Sequence, residues 1–330
     1  MMRRFLIAAT LVLLVCGWNI PPEFAGQSSN LDAQHDYNAG RYNRAVDALN
    51  AGIAKSPDDA SLHFLLGECY YQLHDFSRAM ASFERAEQLS PKNSEIHDWL
   101  GKSYGRKAEG AVFLNAMSWA RKAHHEFEVA VELDPMNFEA QRDLIRYEMN
   151  APSVVSGGDD KAMRHIDALE KVDPIQGELA RGEFFETKKR FPEADAVFAK
   201  IMESNNARAG VYFEASDYYR DRQDVTKMEE AIDKAMGVDP DDRRLKFYKG
   251  VLLIMQGKNP AEAEMDLKSY LSTVPDNSDV PPHALAQEWL GKLYESQKRY
   301  SESAEEYKKS LILDPHNKIV EEEYKRVQRK

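Results

Sequence analysis

Residues 63–91 read HFLLGECYYQLHDFSRAMASFERAEQLSP and contain the spacing on which the fold depends. The residues that define this spacing are Leu66, Gly67, Tyr70, Ala79, Phe83, Ala86 and Pro91. The same order begins again 34 residues later and once more near the C-terminus, at Leu100, Gly101, Tyr104, Ala123, Phe127, Ala130 and Pro135, and at Leu290, Gly291, Tyr294, Tyr307 and Pro315. Self-similarity at a period of roughly 20–50 residues is typical of stacked repeats.

Each repeat has the residue pattern of two packed helices. The glycine of the Leu-Gly pair has no Cβ, so a second helix can approach it closely. Proline cannot continue a helix and disfavours helical geometry in the residue before it. Seven prolines recur near the ends of the repeats: Pro57, Pro91, Pro135, Pro174, Pro240, Pro275 and Pro315. The long interval between Pro174 and Pro240 holds two repeats, so the chain is predicted to have eight. Because one repeat cannot bury its own apolar face, the repeats are predicted to stack.

The motif resembles the W-x2-L-G-x2-Y…A-x3-F…P pattern of the tetratricopeptide repeat family. The resemblance implies an all-α, right-handed superhelical solenoid of about eight helix pairs with a concave groove and a C-terminal capping helix. The predicted boundaries are a signal peptide at 1–17, a linker at 18–30, a repeat array at 31–316 and the capping helix at 317–330. Within the array we expect repeats at 31–59, 60–93, 94–137, 138–176, 177–208, 209–242, 243–277 and 284–316.

The N-terminus has the pattern of an export signal. Arg3 and Arg4 precede an apolar run at 5–15, and small residues allow a cut after Gly17, or as late as residue 28. An uncleaved anchor and a lipidated Cys16 are the alternatives, and they are the only routes by which we expect membrane attachment. The expected location is therefore exported, either periplasmic or extracellular.

Composition excludes several classes of function. The chain has 44 Lys and Arg against 55 Asp and Glu, a formal net charge of −11, which argues against nucleic-acid binding. Its two cysteines exclude a disulfide-rich scaffold. His124 and Glu128 share a helix face, but no third ligand has metal spacing, and no nucleophile, base and oxyanion site assembles. We therefore expect no enzyme activity, no cofactor and no metal.

Two insertions interrupt the repeats. Residues 107–119 lie between the helices of the third repeat and are expected to lengthen its second helix by about three turns. Residues 151–160, APSVVSGGDD, lie between the helices of the fourth. The pair of insertions resembles a subset of exported bacterial repeat proteins. Phe113 and Trp119 in the first insertion either pad the neighbouring repeat or anchor a partner.

In the tetratricopeptide family the first helix of each pair lines the concave groove, which gives candidate partner-binding positions in this chain. They are Tyr37, Asn38, Phe64, Glu68, Tyr71, Gln72, Lys102, Arg106, Arg142 and Arg146. Repeats five and six add Glu183, Glu186, Asp217 and Arg220. Four of the cations are expected to converge in mid-groove, namely Lys102, Arg106, Arg142 and Arg146. They either form a clamp for a carboxylate or turn towards solvent or towards neighbouring Glu residues.

These observations favour a non-catalytic scaffold that binds a protein or peptide, with an acidic segment or a C-terminal carboxylate as the expected recognition feature. An enzyme with a site in the groove or at the insertions, and a structural component of the cell envelope that assembles with itself, are the alternatives.

Overall fold

Helix pairs follow one another along the whole of the described chain. The computed structural model describes residues 32–205, 208–275, 280–315 and 317–330, and no strand occurs in these ranges. The helices are α1 (32–38), α2 (Tyr42–Ile53), α3 (Ala60–Gln72), α4 (Phe76–Leu89), α5 (Ser94–Glu109), α6 (Phe113–Leu133), α7 (Phe138–Asn150), α8 (Asp159–Val172), α9 (Pro174–Thr187), α10 (Phe191–Glu203), α11 (Ala209–Asp221), α12 (Val225–Val238), α13 (Leu245–Gln256), α14 (Pro260–Thr273), α15 (His283–Ser296), α16 (Tyr300–Leu313) and α17 (Lys318–Val327). The predicted all-α solenoid of eight pairs with a capping helix is confirmed.

Short polar side chains begin many of these helices. The carboxylate of Asp59 accepts from the backbone N–H of Ser61 at the start of α3, and Asn93 does the same for Glu95 and Ile96 at the start of α5. Asp173 caps α9, whose first residue is Pro174. Such side chains satisfy N–H groups that have no partner within the helix, so they fix where each helix begins.

The repeated glycine sets the distance between the two helices of a pair. A Cβ added at Gly67 would lie 2.5 Å from the Phe83 ring, and one added at Gly101 would lie 2.5 Å from the Phe127 ring. At Gly291 the same atom would meet Tyr307 at 2.6 Å. The ring on the second helix therefore occupies the space that the Cβ of any other residue would need at the glycine position.

The first helices of neighbouring pairs also touch one another, from α3 to α5, α7, α9 and α11, and again from α13 to α15. Contacts along this row bring the first helices together on the inner side of the array. The row forms the inner face of the array, and six of the ten side chains expected in the groove line pockets on it: Tyr37, Asn38, Glu68, Lys102, Arg142 and Arg146.

The terminal helix closes the core. Val320 and Val327 of α17 are buried against Tyr307 of α16, while its other face carries Glu321, Lys325 and further charged residues. A polar outer face on the last helix keeps the end of an array soluble.

Candidate functional site

Three of the four predicted groove cations converge, and each lies against carboxylates of the chain itself. Lys102 on α5 lies 2.7 Å from Asp98 and 3.0 Å from Asp143 on α7. Arg146 lies 3.5 Å from the same Asp143, and its Nε donates to Glu183 on α9 at 2.7 Å. Of the two expected arrangements, the one in which the cations turn towards neighbouring acids is the one present.

Arg142 continues this line of charges. Its guanidinium binds Glu214 on α11 with two hydrogen bonds of 2.7 Å and reaches Glu183 at 3.3 Å. Cations and carboxylates therefore alternate along α5, α7, α9 and α11, an arrangement that we call the inner-face ladder. Its members are Asp98, Lys102, Asp143, Arg146, Glu183, Arg142 and Glu214.

The ladder favours the charged forms of Lys102 and Glu183, whereas burial raises the pKa of Asp98 to about 7. Burial would lower the pKa of Lys102, but the negative charges of Asp143 and Asp98 outweigh it and raise that pKa. Burial would raise the pKa of Glu183, yet the charges of Arg146 and Arg142 hold it below its ordinary value. Opposite charges a few ångströms apart favour the ionised form of both partners.

Arg106 lies outside the ladder. It binds Glu109 on its own helix at 2.8 Å and covers the Phe76 ring at 5.2 Å. Tyr71 packs edge-on against the same Phe76 ring, and also against Trp99 at 5.1 Å. Arg106 and Tyr71 therefore line the apolar groove between the two insertions.

The first three pairs enclose a polar pocket of about 660 Å³. It brings together four predicted residues, Tyr37, Asn38, Glu68 and Lys102, with others that include Asp98 and Trp99. Phe64 and Gln72 are among the predicted residues that do not line it: Phe64 packs against the Phe83 ring at 5.6 Å, and Gln72 is half-buried at the end of α3.

A second pocket, of about 610 Å³, lies further along the inner face and has a surplus of negative charge. Its charged lining residues are Glu139, Arg142, Arg146, Glu183, Glu186, Glu214, Asp217, Asp221 and Arg244. Burial and the charges of Asp221 and Glu183 raise the pKa of Glu186 to about 7, and burial raises the pKa of Asp217 to about 6. The raised values mark a region where added positive charge is favourable.

The insertion in the third repeat lengthens both helices of its pair. α6 has 21 residues where α4 has 14, and α5 has 16 where α3 has 13. The expected three extra turns of the second helix are therefore about two, because Gly110 ends α5 and the turn takes up residues to 112.

Phe113 and Trp119 have different environments. Trp119 stacks on Tyr104 with ring centroids 5.6 Å apart and lies under the Lys122 ammonium at 4.8 Å. Phe113 is 75% exposed at the start of α6. Trp119 therefore pads the repeat, and Phe113 is available to a partner.

An apolar groove of about 600 Å³ separates this insertion from the loop between α7 and α8. Phe113, Met117 and Val154 are part of its lining. Tyr147 fixes the loop, because its hydroxyl lies 2.8 Å from the Ala120 carbonyl and 2.7 Å from that of Val155. Sequence reasoning did not single out Tyr147, and it named Val154 only as part of the insertion at 151–160. The two insertions lie in successive repeats, and the fold brings them together here.

The described residues contain no group of three or more His, Cys, Asp and Glu side chains that could hold a metal ion. His124 lies 3.2 Å from Glu128 and 3.5 Å from the buried Glu148. Cys69 is buried, and burial raises the pKa of its thiol to about 12, which suppresses the reactive thiolate. Over the same part of the chain, no helix has both the length and the apolar content needed to span a bilayer.

An all-helical stack of pairs with a charged inner face defines the class of helical repeat proteins. One tetratricopeptide repeat family model matches residues 32–94, and a second matches 284–317. Residues 32–94 and 284–317 are therefore tetratricopeptide repeats, and the glycine-to-ring packing found in both stretches recurs in the pairs between them, at Gly101 and Gly182. Repeats of this family generally bind proteins and peptides rather than catalyse reactions.

The chain spans only part of the length of the two curated relatives that it matches. It is 27% identical over 100 residues to mouse Tetratricopeptide repeat protein 16, which is 30% of this chain and 12% of the relative. It is 22% identical over 184 residues to human RNA polymerase II-associated protein 3, which is 52% of this chain and 26% of the relative. A crystal structure of a tetratricopeptide repeat protein from Parabacteroides merdae superposes with a TM-score of 0.46 at 15% identity, and covers 92% of this chain and 99% of that one.

Proposed function

We propose that the protein is a non-catalytic scaffold of an exported compartment that holds a protein or peptide partner in its concave groove. The observation that supports this function is the pair of polar pockets along the inner face, lined by the first helices of successive repeats. An extended peptide can run along such a row and meet a new set of side chains at every repeat.

The charge of the partner is the open part of this proposal. An acidic segment or a C-terminal carboxylate would bind Arg146, whose side chain is 40% exposed, and would replace Glu183 or Asp143 there. The negative surplus of the second pocket favours a second candidate, a partner that places a Lys or Arg side chain beside Glu186 and Asp221.

Two variants separate these candidates once a partner has been isolated with the tagged protein and identified by mass spectrometry. An acidic partner predicts that Arg146→Glu weakens binding while Glu186→Gln leaves binding unchanged or strengthens it. A basic partner predicts the reverse. Calorimetry on the purified pair measures both, and equal affinity of wild type and both variants would place the partner outside the second pocket.

Export is supported by Arg3, Arg4 and the apolar run at 5–15, which lie outside the described residues. Intact-mass analysis of the protein from its native cell is expected to show a start at or after Trp18. A cytoplasmic protein with an unprocessed N-terminus would contradict this part of the proposal, whatever the groove binds.

A further inference from the structure

The hairpin formed by α5 and α6 projects beyond its neighbours. The ring of Phe127 on α6 meets Gly101 as that of Phe83 on α4 meets Gly67, so the two pairs share one register. Counted from this contact, the extra residues of α6 all lie at its N-terminal end, near Gly110. The seven extra residues lengthen α6 by about 10 Å, and three extra residues lengthen α5 by about 5 Å.

The end of this projection is apolar and uncovered. Val112, Phe113 and Leu114 are consecutive and are 74%, 75% and 78% exposed. These three residues, the hairpin tip, include the N-cap of α6, which has no side-chain hydrogen bond, and the first turn of α6 has no acidic residue. A free helix N-terminus carries partial positive charge and N–H donors.

The residues behind the tip carry the opposite charge to the rest of the chain. Residues 106–122 contain four cations, Arg106, Lys107, Arg121 and Lys122, and one acid, Glu109, in a protein whose net charge is −11. Arg106, Arg121 and Lys122 are exposed. Arg121 lies about 12 Å along the helix from Phe113, so the positive charge forms a collar behind the apolar end.

The adjacent apolar groove does not account for the tip. Phe113 is part of the groove lining, but Val112 and Leu114 are not, so a peptide in the groove would leave both uncovered. Three apolar side chains at the end of a projection, with a cationic collar behind them, match a flat surface that is apolar inside and negatively charged outside. A bilayer with anionic lipids has that profile within the depth of about 5–10 Å that an interfacial segment reaches.

We propose that the hairpin tip docks on a negatively charged lipid bilayer. Val112, Phe113 and Leu114 enter the boundary between headgroups and acyl chains, and the four cations of the collar lie at the level of the lipid phosphates. Attachment through the hairpin tip is independent of the N-terminal apolar run and of the groove, and it leaves the concave face open to a partner.

The test is co-sedimentation of the full-length protein with two kinds of vesicle, one of phosphatidylcholine alone and one of phosphatidylcholine and phosphatidylglycerol in equal parts. The tip variant carries Val112→Ser, Phe113→Ser and Leu114→Ser. Its matched control changes three equally exposed apolar residues elsewhere, by Met265→Ser, Ile312→Ser and Ile319→Ser. The collar variant combines Lys107→Glu and Arg121→Glu. Its matched control combines Lys308→Glu and Lys318→Glu.

We expect wild type and both controls to bind the anionic vesicles and to bind less at high salt. The tip variant is expected to lose at least about tenfold in partition coefficient because its apolar contact is gone. Each reversed cation of the collar is expected to remove about fivefold or more. Circular dichroism of all four variants checks that the fold is retained.

Equal binding by the tip variant and its control would overturn the proposal and assign membrane binding to the N-terminal run. Equal binding to neutral and anionic vesicles would overturn the role of the collar. No vesicle binding by wild type, with a tip-dependent dimer or protein complex instead, would show that the occupant of the tip is a protein.

Discussion

Replacing Gly101 with alanine tests the glycine-to-ring packing that recurs at Gly67, Gly101, Gly182 and Gly291. The new Cβ would lie 2.5 Å from the Phe127 ring, whereas carbon atoms in ordinary contact are about 3.5–4.0 Å apart. The ring or the helix must therefore move by roughly 1 Å or more. Phe127 is only 5% exposed, so its neighbours must move with it.

Gly105 provides the matched control, because it lies on the same helix and an added Cβ there meets nothing within 4 Å. Both substitutions gain about 1 kcal/mol of helix propensity, so that gain cancels between the two variants. The remaining difference is the overpacking term, and we expect Gly101→Ala to be less stable than Gly105→Ala by about 1–3 kcal/mol.

Urea unfolding followed by circular dichroism measures the difference. Adding Phe127→Leu to Gly101→Ala removes the ring that clashes and is expected to lessen the effect of the alanine. If Gly101→Ala and Gly105→Ala unfold at the same urea concentration, the glycine does not set the distance between α5 and α6.

Three further predictions follow from the charged and aromatic residues. Arg142→Ala leaves Glu214 without its cation and Glu183 with Arg146 alone, and it should destabilise by about 2–3 kcal/mol in urea unfolding. The exposed ion pair of Arg190 and Glu193 offers a control, because Arg190→Ala should cost much less. Equal losses would contradict the role of the ladder. Glu186 has its pKa raised from 4.5 to about 7, so between these pH values the folded state holds a proton that the unfolded chain releases. The free energy of unfolding should therefore fall as the pH rises from about 4.5 to about 7, and Glu186→Gln should be more stable than wild type at pH ~8 and equal to it at pH ~4. If the two proteins change in stability with pH in the same way, the raised pKa does not belong to Glu186. Trp119→Ala should lower the melting temperature because it removes the stack on Tyr104. Phe113→Ala should leave the melting temperature unchanged because that ring is exposed. Equal shifts would contradict the different environments of the two rings.

The pairing of helices could be predicted from the sequence because it depends on residues close together in the chain. Gly67 and Phe83 lie 16 positions apart, in one repeat, and the same spacing recurs at Gly291 and Tyr307. Local spacing of this kind carries both the register and the number of pairs, including the capping helix.

The electrostatics of the inner face could not be predicted in the same way. Arg142 binds Glu214, which is 72 positions away and lies two repeats further along. That partner depends on the rotation between successive repeats and on side-chain direction, and neither follows from a motif. The sequence did indicate that Lys102, Arg142 and Arg146 share the inner face, and it left open what neutralises them.

The turn in the third repeat shows the same limit. No proline follows Gly110 in the insertion, so the residue count alone suggested one long second helix. In the structure α5 runs on to Glu109 and α6 begins at Phe113, which divides the added length between the two helices. Where a hairpin turns depends on the packing of both helices as well as on the helix-breaking residues.

The inner-face ladder contributes to the resistance of the groove to opening. Successive repeats pack on one another, so the width of the groove depends on the sum of the small rotations between them. Opening the groove would stretch the contacts between Lys102, Asp143, Arg146 and Glu183 in series. Part of the resistance to opening is therefore electrostatic, in addition to the apolar packing that runs from one repeat to the next. Salt therefore softens it at its exposed links, and a charged guest that displaces one link changes the curvature of four successive repeats.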